Sequence, residues 1–384
     1  MNFYDLNDYQ KSILETIKKI CTEVVQPRTA EMDETGEFPW DIVKVLGGAG
    51  FFASAIPEQY GGTGIDNTTL CIINEEFSKT NPFCANVTGA HSYCARGILY
   101  GGTEEQKSKI LTKMTDESGM GAFSITEPEA GSDVKSIKTK AILNGDSFVI
   151  NGRKCFCTNA RVASYYLVFA STEVNNNNVG ISAFLIENGM QGLSFGKEEN
   201  KLGMRAQATA DVILEDVLVS PENVIGKIGG GVEIAKKVLN HARLDAASVA
   251  LGLAEGAFLF ARDYAKTRVQ FKKPIAAFQA IQSMLADMAI KIEASKALIY
   301  KTAGLMDNNL ANNNEISKLV SMAKCFTSDM AMEVTINAIQ VLGGYGYMKD
   351  YPVERMMRDA KLWQIGDGTN QIQRIVIAHH ILSD

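Results

Sequence analysis

The chain has 384 residues, of which 46% are hydrophobic and 21% are charged, and its formal net charge is -6. These values are ordinary for a soluble globular protein, and without a basic excess they argue against a nucleic-acid partner. No run approaches the ~18 apolar residues of a membrane span, and residues 1–8 lack the features of a signal or transit peptide, so we predict a cytoplasmic protein. Seven scattered cysteines and only four histidines favour reduced thiols and give no support for a metal site.

Residues 1–120 have the pattern of a helical domain. Apolar side chains recur at helical spacing from Ile13 to Val25, and Pro27 is expected to end or kink this helix. A loop is predicted at 57–62, where proline and glycine interrupt the sequence, and helical patterns resume after it.

Residues 121–232 change to a β pattern. Runs rich in β-branched and aromatic residues lie at 147–150, 165–169 and 180–186. Turn signals separate them at 144–146 and 151–152, and the Asn-rich run 175–178 is expected to be a solvated loop tip. Many short strands at this spacing predict a sandwich or a barrel-like domain.

Residues 233–384 return to a helical pattern. Long helices rich in Ala, Leu and Met are predicted at 246–265, 279–301 and 316–342. Helices of this length usually pack as an antiparallel bundle, so the chain is predicted to be a multidomain α+β protein. The glycine-rich stretch 226–231 lacks the spacing of a phosphate-binding loop and is expected to link the β domain to the bundle.

Segments distributed over nearly the whole chain resemble the acyl-CoA dehydrogenase family, closest in pattern to its bacterial short-chain, butyryl-CoA dehydrogenase-like members. In order, the segments are FSITEPEAGSD (123–133), NGRKCFCTNA (151–160), KLGMR (201–205), RVQFKKPI (268–275), FQAIQ (278–282), QVLGGYGY (340–347), DYPVER (350–355) and RDAK (358–361). The resemblance implies an N-terminal helical domain, a middle β domain and a C-terminal four-helix bundle, usually in a homotetramer.

The resemblance also implies FAD as the cofactor. Taken alone, 126–133 is an ordinary turn, Phe156 and Thr158 share one strand face as packing residues, and Arg268 is a surface charge. By resemblance, Thr126 and Thr158 approach the flavin ring and Phe156 stacks on it, while the C-terminal residues bind FAD across a subunit interface. The expected cofactor contacts are Phe123, Ile125, Thr126, Gly131, Ser132, Phe156, Cys157, Thr158, Arg268, Gln270, Phe271, Gln279, Gln340, Gly343, Gly344, Thr369 and Gln371.

The tripeptide Gly366-Asp367-Gly368 stands where the family commonly has aromatic-Glu-Gly, with the Glu as the catalytic base. The resemblance therefore implies that Asp367 is the base and that its backbone N–H stabilises the thioester oxygen. Taken alone, Gly-Asp-Gly is typical of an Asx-type turn, and Thr369 is expected to cap the last helix. Some family branches carry their base at another position, which is Ala242 here and cannot accept a proton.

The implied reaction is FAD-dependent oxidation of an acyl thioester, on CoA or a carrier protein, to the enoyl thioester, with hydride transfer to flavin N5 and an electron-transfer flavoprotein as acceptor. Expected substrate contacts are Ser132, Asn240, Arg243, Gly368 and His91, although a lone His is more often structural. The short Asp367 side chain beside Gly366 predicts a wide pocket for a branched, alicyclic or aryl acyl group; an inward-moved loop with a short straight chain is the alternative. An enoyl-thioester reductase, an oxidase and a non-catalytic flavin-binding subunit also remain open.

Overall fold

A computed structural model describes residues 6–175 and 178–383. The helices are α1 (Asp8–Ile20), α2 (Thr29–Thr35), α3 (Trp40–Gly48), α4 (Asn67–Thr80), α5 (Phe83–Gly101), α6 (Glu104–Leu111), α7 (Gly231–Thr267), α8 (Gln279–Asp307), α9 (Asn313–Leu342), α10 (Val353–Ala360) and α11 (Asn370–Leu382). The strands are β1 (Gly121–Ser124), β2 (Lys140–Asn144), β3 (Ser147–Thr158), β4 (Tyr165–Asn175), β5 (Asn178–Glu187), β6 (Leu193–Phe195), β7 (Thr209–Val219), β8 (Val224–Ile225), β9 (Val269–Gln270) and β10 (Lys273–Pro274). The predicted order of helices, sheet and helices is confirmed.

The first helix begins with a capping box between Asn7 and Gln10, in which each side chain accepts a hydrogen bond from the other residue's backbone N–H. After Ile20 the helix widens into a π turn and then tightens into a 3-10 turn that contains Pro27. The end of the regular helix expected near this proline is therefore present, because its ring cannot continue a regular helix.

The strands of the middle region form one eight-stranded sheet in the order β6-β7-β3-β2-β4-β5-β8, and β1 pairs with β4. The turn expected at 144–146 joins β2 to β3, and Gly145 there has φ +61°. The turn expected at 151–152 is wrong: β3 continues through it, and its pairing with β7 shifts register at Gly152. Such a bulge accommodates an extra residue without ending the strand. The loop tip expected in the Asn-rich run falls on 176–177, outside the described residues.

The N-terminal helices and the C-terminal bundle share one hydrophobic core. Buried side chains from α1, α4, α7 and α9, such as Ile17, Phe77, Leu251 and Val320, belong to the same packed cluster. Helix α7 is long and apolar enough to cross a membrane, but 78% of its most apolar window is buried, as in a core helix of a soluble protein. All seven cysteines are buried and free, as the sequence predicted.

Candidate active site

The predicted base lies in the short turn that leads into α11. Asp367 has φ +55° and Gly368 has φ +91°, so both residues are in the left-handed region of the backbone. Gln373 from the first turn of α11 donates from Nε2 to the Gly368 carbonyl at 2.9 Å. The Thr369 hydroxyl accepts from the Ile372 N–H at 3.3 Å, which is the helix cap that the sequence predicts. A Cβ at position 368 would lie 2.6 Å from Gln373 Nε2, so this turn requires glycine.

A buried lysine holds this turn in place through hydrogen bonds, and it was not predicted from the sequence. Lys324 on α9 is fully buried, and its Nζ donates to Gly368 O at 2.8 Å and to Asn370 Oδ1 at 3.0 Å. Asn370 Nδ2 in turn donates to Asp329 Oδ1 at 2.7 Å. The available signal was position: Lys324 lies four residues after Val320 on the apolar stripe of α9, where an unpaired charge is rare.

The Asp367 side chain is half-buried, and its pKa is higher than that of an exposed aspartate. Burial raises the pKa of Asp367 to about 6, with a further rise from Asp245, while Lys324 and Arg243 oppose the shift. Burial lowers the pKa of Lys324 to about 8, and the negative charge of Asp367 counteracts that effect. Within the described residues the Asp367 carboxylate accepts no hydrogen bond and the Asp367 N–H donates none, so both groups are available to a ligand.

Two of the predicted substrate contacts lie on α7 close to this turn. Arg243 Nη1 donates to Asn240 Oδ1 at 3.3 Å, and Arg243 Nε is buried without a hydrogen-bond partner. Burial lowers the pKa of Arg243, while the charge of Asp367 raises it, which places the guanidinium near the base. Ser132 is exposed on its loop, and no described contact connects it to this group.

His91 occupies a structural position. The imidazole is fully buried, its Nδ1 accepts from the Gly121 N–H at 3.0 Å, and its ring packs edge-on against Phe52. Burial lowers the pKa of His91 to about 4, so the ring is neutral at physiological pH. The Nε2 atom is buried without a hydrogen-bond partner among the described residues, and the substrate contact of His91 stays a prediction.

The 123–133 loop and strand β3 meet at a second site, on the surface of the sheet. The Cys155 N–H donates to Thr126 O at 2.9 Å, which joins the loop to a second register shift of β3, between Lys154 and Cys157. At this bulge Phe156 has φ +55° and its side chain is 67% exposed. Thr126 and Thr158 are half-buried beside it. The predicted flavin contacts Thr126, Phe156 and Thr158 are thus brought together.

The remaining predicted contacts in this part of the chain differ in exposure. Phe123 is half-buried and its ring contacts Phe169, Ile125 is half-buried, and Gly131 faces open space. Cys157 is buried, with its Sγ 3.8 Å from Phe123 O, so it offers a cofactor only its backbone.

A buried ion pair fixes the loop to the strand, and sequence reasoning missed it. Lys154 Nζ donates to Glu127 Oε1 at 2.7 Å and to Ile125 O at 3.1 Å, and both side chains are buried. The Glu127 carboxylate also accepts from the Lys138 N–H at 2.5 Å and the Thr139 N–H at 3.0 Å. These bonds hold the backbone of the loop in one arrangement, since every partner of the carboxylate is fixed.

The C-terminal set of predicted cofactor contacts forms a separate surface. The Arg268 guanidinium lies over the ring of Tyr345, 5.2 Å from its centroid, and so connects the β9–β10 hairpin to the Gly343–Tyr347 turn. Phe271, at the hairpin tip, has φ +50° and is 88% exposed. Other members of the set are exposed as well: Gln270, Gln279, Gln340, Gly343, Gly344 and, on α11, Gln371. Within the described residues, no hydrogen bond or ring contact connects the hairpin and this turn to Thr126 or Phe156.

Three domain models of the acyl-CoA dehydrogenase family match the chain: the N-terminal domain at 7–118, the middle domain at 122–217 and the C-terminal domain at 229–382. The short-chain-specific acyl-CoA dehydrogenase of Clostridium acetobutylicum is 43% identical, over 98% of this chain and 99% of that protein. Cyclohexane-1-carbonyl-CoA dehydrogenase of Geobacter metallireducens is 41% identical, over 99% of each.

Two solved structures are similar to the whole chain. Butyryl-CoA dehydrogenase from Megasphaera elsdenii is 38% identical, with a TM-score of 0.94 over 99% of each chain. A chain in a structure described as the electron transferring flavoprotein of Acidaminococcus fermentans, in work on flavin-based electron bifurcation, is 42% identical, with a TM-score of 0.95 over 100% of each chain.

Proposed function

Because the chain belongs to the acyl-CoA dehydrogenase family, we propose that Asp367 is the base with which it removes the α-proton of an acyl thioester. The chain is an acyl-CoA dehydrogenase, an oxidoreductase that acts on the CH–CH group of its substrate. One observation carries the proposal: Asp367 has a half-buried carboxylate with a pKa raised to about 6 and no hydrogen-bond donor among the described residues.

The turn around Asp367 supplies two groups that the reaction requires. An α C–H is a weak acid, so the carboxylate must be poorly solvated and the thioester oxygen must be stabilised as negative charge develops on it. The Asp367 carboxylate serves the first need. The Asp367 N–H, which has no described partner, serves the second, and a preorganised donor of this kind is typically worth about 3–4 kcal/mol in the transition state.

We propose FAD as the cofactor, because the exposed residues around the β3 bulge fit a flavin. Phe156 offers an aromatic face, and Thr126 and Thr158 offer hydroxyl groups beside it. The family that the chain belongs to includes structures complexed with FAD, which supports a flavin as the group that Phe156 contacts. When bound, FAD supplies the acceptor for the hydride that leaves the β-carbon. The chain's own contribution is to hold Thr126 against β3 through the Lys154–Glu127 pair.

We propose that a second subunit completes the cofactor site. The Arg268 hairpin and the Gly343–Tyr347 turn lie on a surface without described contacts to Phe156, yet both surfaces expose aromatic rings. A homotetramer built from dimers lets one subunit's hairpin reach the flavin of its neighbour.

The cytoplasm is the proposed location. The similarity to a chain described with an electron transferring flavoprotein supports that class of protein as electron acceptor.

We propose that the acyl group is branched or alicyclic. Gly366 has no side chain, whereas the family commonly has an aromatic residue at this position. The Asp367 side chain is also one methylene shorter than the usual Glu, so its carboxylate reaches less far towards the substrate. A ring or an α-branch fills the space that this leaves and brings its α-proton to the carboxylate, whereas a misplacement of ~1 Å lowers a rate about a hundredfold. The relative named for cyclohexane-1-carbonyl-CoA is consistent with this choice.

The test is anaerobic bleaching of the flavin by butyryl-, isobutyryl- and cyclohexanecarbonyl-CoA in the wild type and in Asp367→Asn. We expect the Asn variant to bind the thioesters and lose at least about a hundredfold in the reduction rate, because an amide cannot accept the proton. Asp41→Asn, at an exposed ion pair with Arg28, is the matched control and should behave as wild type. An Asp367→Asn enzyme that retained most of its reduction rate would exclude Asp367 as the base. A clear preference for butyryl-CoA would contradict the branched or alicyclic substrate.

A further inference from the structure

A buried asparagine at the end of β3 forms hydrogen bonds to three other segments of the chain. Asn159 directly follows Thr158, the last residue of the strand, and its side chain is fully buried. Its backbone has φ +65°, in the left-handed region, which asparagine adopts more readily than most other residues. The Asn159 carbonyl accepts from the Ala163 N–H at 2.9 Å, so the chain turns here. The strand therefore ends at a residue whose side chain lies in the interior.

The side-chain amide of Asn159 uses both of its polar atoms. Its Nδ2 donates to Val87 O on α5 at 3.1 Å and to Gly121 O, at the start of β1, at 3.2 Å. Its Oδ1 accepts from Gln207 Nε2 at 2.9 Å. We call Asn159, Val87, Gly121 and Gln207 the Asn159 junction. The junction joins the end of β3 to an N-terminal helix, to β1 and to the segment that precedes β7.

Further contacts hold the groups that Asn159 binds. The Gly121 N–H donates to His91 Nδ1 on α5 at 3.0 Å, so both polar backbone groups of Gly121 are bonded. A Cβ at Gly121 would lie 2.6 Å from Cys94 Cβ, which shows how closely β1 approaches α5. The Asn159 N–H donates to Ala208 O at 2.9 Å and so continues the pairing of β3 just before β7 begins. Because its partners are themselves held, the Asn159 side chain has one position.

The Asn159 junction is continuous with the surface proposed for the flavin. Thr158 precedes Asn159 in the chain, and Gly121 begins the strand that leads to Thr126. Thr126 and Thr158 are the two residues whose hydroxyl groups the proposed function assigns to the flavin. Loss of the Asn159 amide therefore frees the end of β3 from β1 and from α5, and the Thr158 hydroxyl is the first side-chain group that this affects.

Resting on the proposed function, we infer that Asn159 is a positioning residue, which fixes the Thr158 hydroxyl at the flavin through the Asn159 junction. A side chain that binds a cofactor must be held within about 0.5 Å of its productive position, and neighbouring hydrogen bonds supply that restraint. Thr158 is at the end of its strand, so pairing with β7 restrains it from one side of the chain only. The Asn159 amide restrains it from the other side.

The test is a double-mutant cycle on the two-electron reduction potential of FAD in the holoenzyme, a quantity that does not depend on turnover. The variants are Asn159→Gly, Thr158→Val and the two combined, since glycine accepts the left-handed backbone and removes the amide. We expect each single variant to change the ratio of the affinities for oxidised and reduced FAD about three- to tenfold, in the same direction, which corresponds to about 14–30 mV. In the Thr158→Val background, Asn159→Gly should change this ratio by less than about twofold.

Two further variants serve as control and as safeguard. Asn309→Gly is the matched control, because Asn309 also has a left-handed backbone, with φ +51°, but is exposed between α8 and α9. It should leave the potential unchanged. Gln207→Met removes one hydrogen bond of the junction and keeps the length of the side chain, so it tests the same inference if Asn159→Gly does not fold. It should shift the potential in the same direction as Asn159→Gly, by a smaller factor.

The outcomes separate the two proposals. If the wild-type protein binds no FAD, the proposed cofactor is wrong and the inference fails with it. If FAD binds and the junction variants lower only the denaturant midpoint, with the potential unchanged, Asn159 is purely structural and the inference alone is wrong. Additive shifts in the double variant, or a wild-type potential in Thr158→Val, would likewise show that Asn159 does not act through Thr158.

Discussion

Three charged side chains influence the pKa of Asp367, the proposed base. Lys324 and Arg243 favour the ionised form of Asp367, while Asp245 disfavours it. Burial outweighs the two cations, so the carboxyl group is protonated below about pH 6 and is a competent base above it. Flavin reduction is therefore expected to fall as the pH decreases through about 6.

Lys324→Met should move the pH at which the rate of flavin reduction falls, the acid limb of the pH profile, to a higher value. Without the ammonium group the ionised form of Asp367 loses its attraction, so its pKa rises by about one unit. Asp245→Asn removes a negative neighbour and should move the limb in the opposite direction. Stopped-flow reduction rates between pH 5 and 8 measure both limbs. A shift of the two variants in the same direction would show that the charges do not act through Asp367.

The same lysine shows where residue-level prediction stops. The turn at Asp367 could be predicted because its flanking glycines mark it, and the proposed role of Asp367 comes from the resemblance of its motif to the family's. Lys324 could not be, because its function depends on the Gly368 carbonyl, 44 residues away in sequence and 2.8 Å away in space. A charge on an apolar helix stripe indicates that a partner exists but does not identify it.

At the scale of elements, the β3 bulge and the 123–133 loop act as one unit. The loop has little regular structure of its own, and its position depends on the Lys154–Glu127 pair and on the bond from the Cys155 N–H to Thr126 O. The bulge in β3 gives Phe156 its exposure, since regular pairing with β7 resumes only at Cys157. Two separate sequence motifs thereby form one surface, which is the proposed site for the flavin.

Glu127→Gln should destabilise the protein by about 3–5 kcal/mol, because it leaves the buried Lys154 ammonium group without a counter-charge. The holoenzyme should also release FAD more readily, since the loop loses its anchor. The double variant Glu127→Gln/Lys154→Met removes the unpaired charge and should recover most of the stability. Denaturant midpoints and FAD retention after gel filtration measure both effects. A single variant as stable as wild type would show that the pair does not hold the loop.

Element boundaries could be predicted only in part. Helix α7 was expected from 246 but begins at Gly231, because glycines and a polar stretch conceal the first turns of a helix whose apolar face is already buried at Ile234 and Val238. The turn expected at Asn151-Gly152 is a bulge, because Gly152 has φ +156° and lies against Thr139, where a Cβ would be 2.3 Å from Oγ1. The local sequence identifies an irregularity in the backbone, but it does not show that the strand continues through it or which strand pairs with it.

At the scale of the whole molecule, the separation of the two proposed cofactor surfaces predicts that FAD binding and subunit assembly are coupled. Arg268→Ala should reduce FAD content, because a charge-assisted contact to the cofactor is typically worth about 1.5–3 kcal/mol. It should also lower the assembled fraction measured by light scattering at low concentration. Arg262→Ala, six residues earlier near the end of α7 and paired with Asp263, is the control. Normal FAD content in Arg268→Ala would place the cofactor elsewhere.

The order of regions along the chain was predicted from the sequence, but the shared core was not. Composition separated 1–120 from 233–384, whereas the apolar faces of α4 and α7 pack directly against each other. A hydrophobic face in a sequence shows that something covers it and leaves open which segment does so.

That shared core has a consequence for synthesis on the ribosome. Helices α1 and α4 are complete before residue 81, but α9, which covers part of the same core, ends only at Leu342. At about 5–20 residues per second, the nascent chain holds this apolar surface uncovered for roughly 13 to 52 seconds. The first third of the polypeptide therefore emerges as a fragment that cannot bury its own interior. A release at that stage, or a stop codon in the middle β domain, should yield an insoluble product, and chaperone occupancy should be highest on the ribosome until α9 has been made.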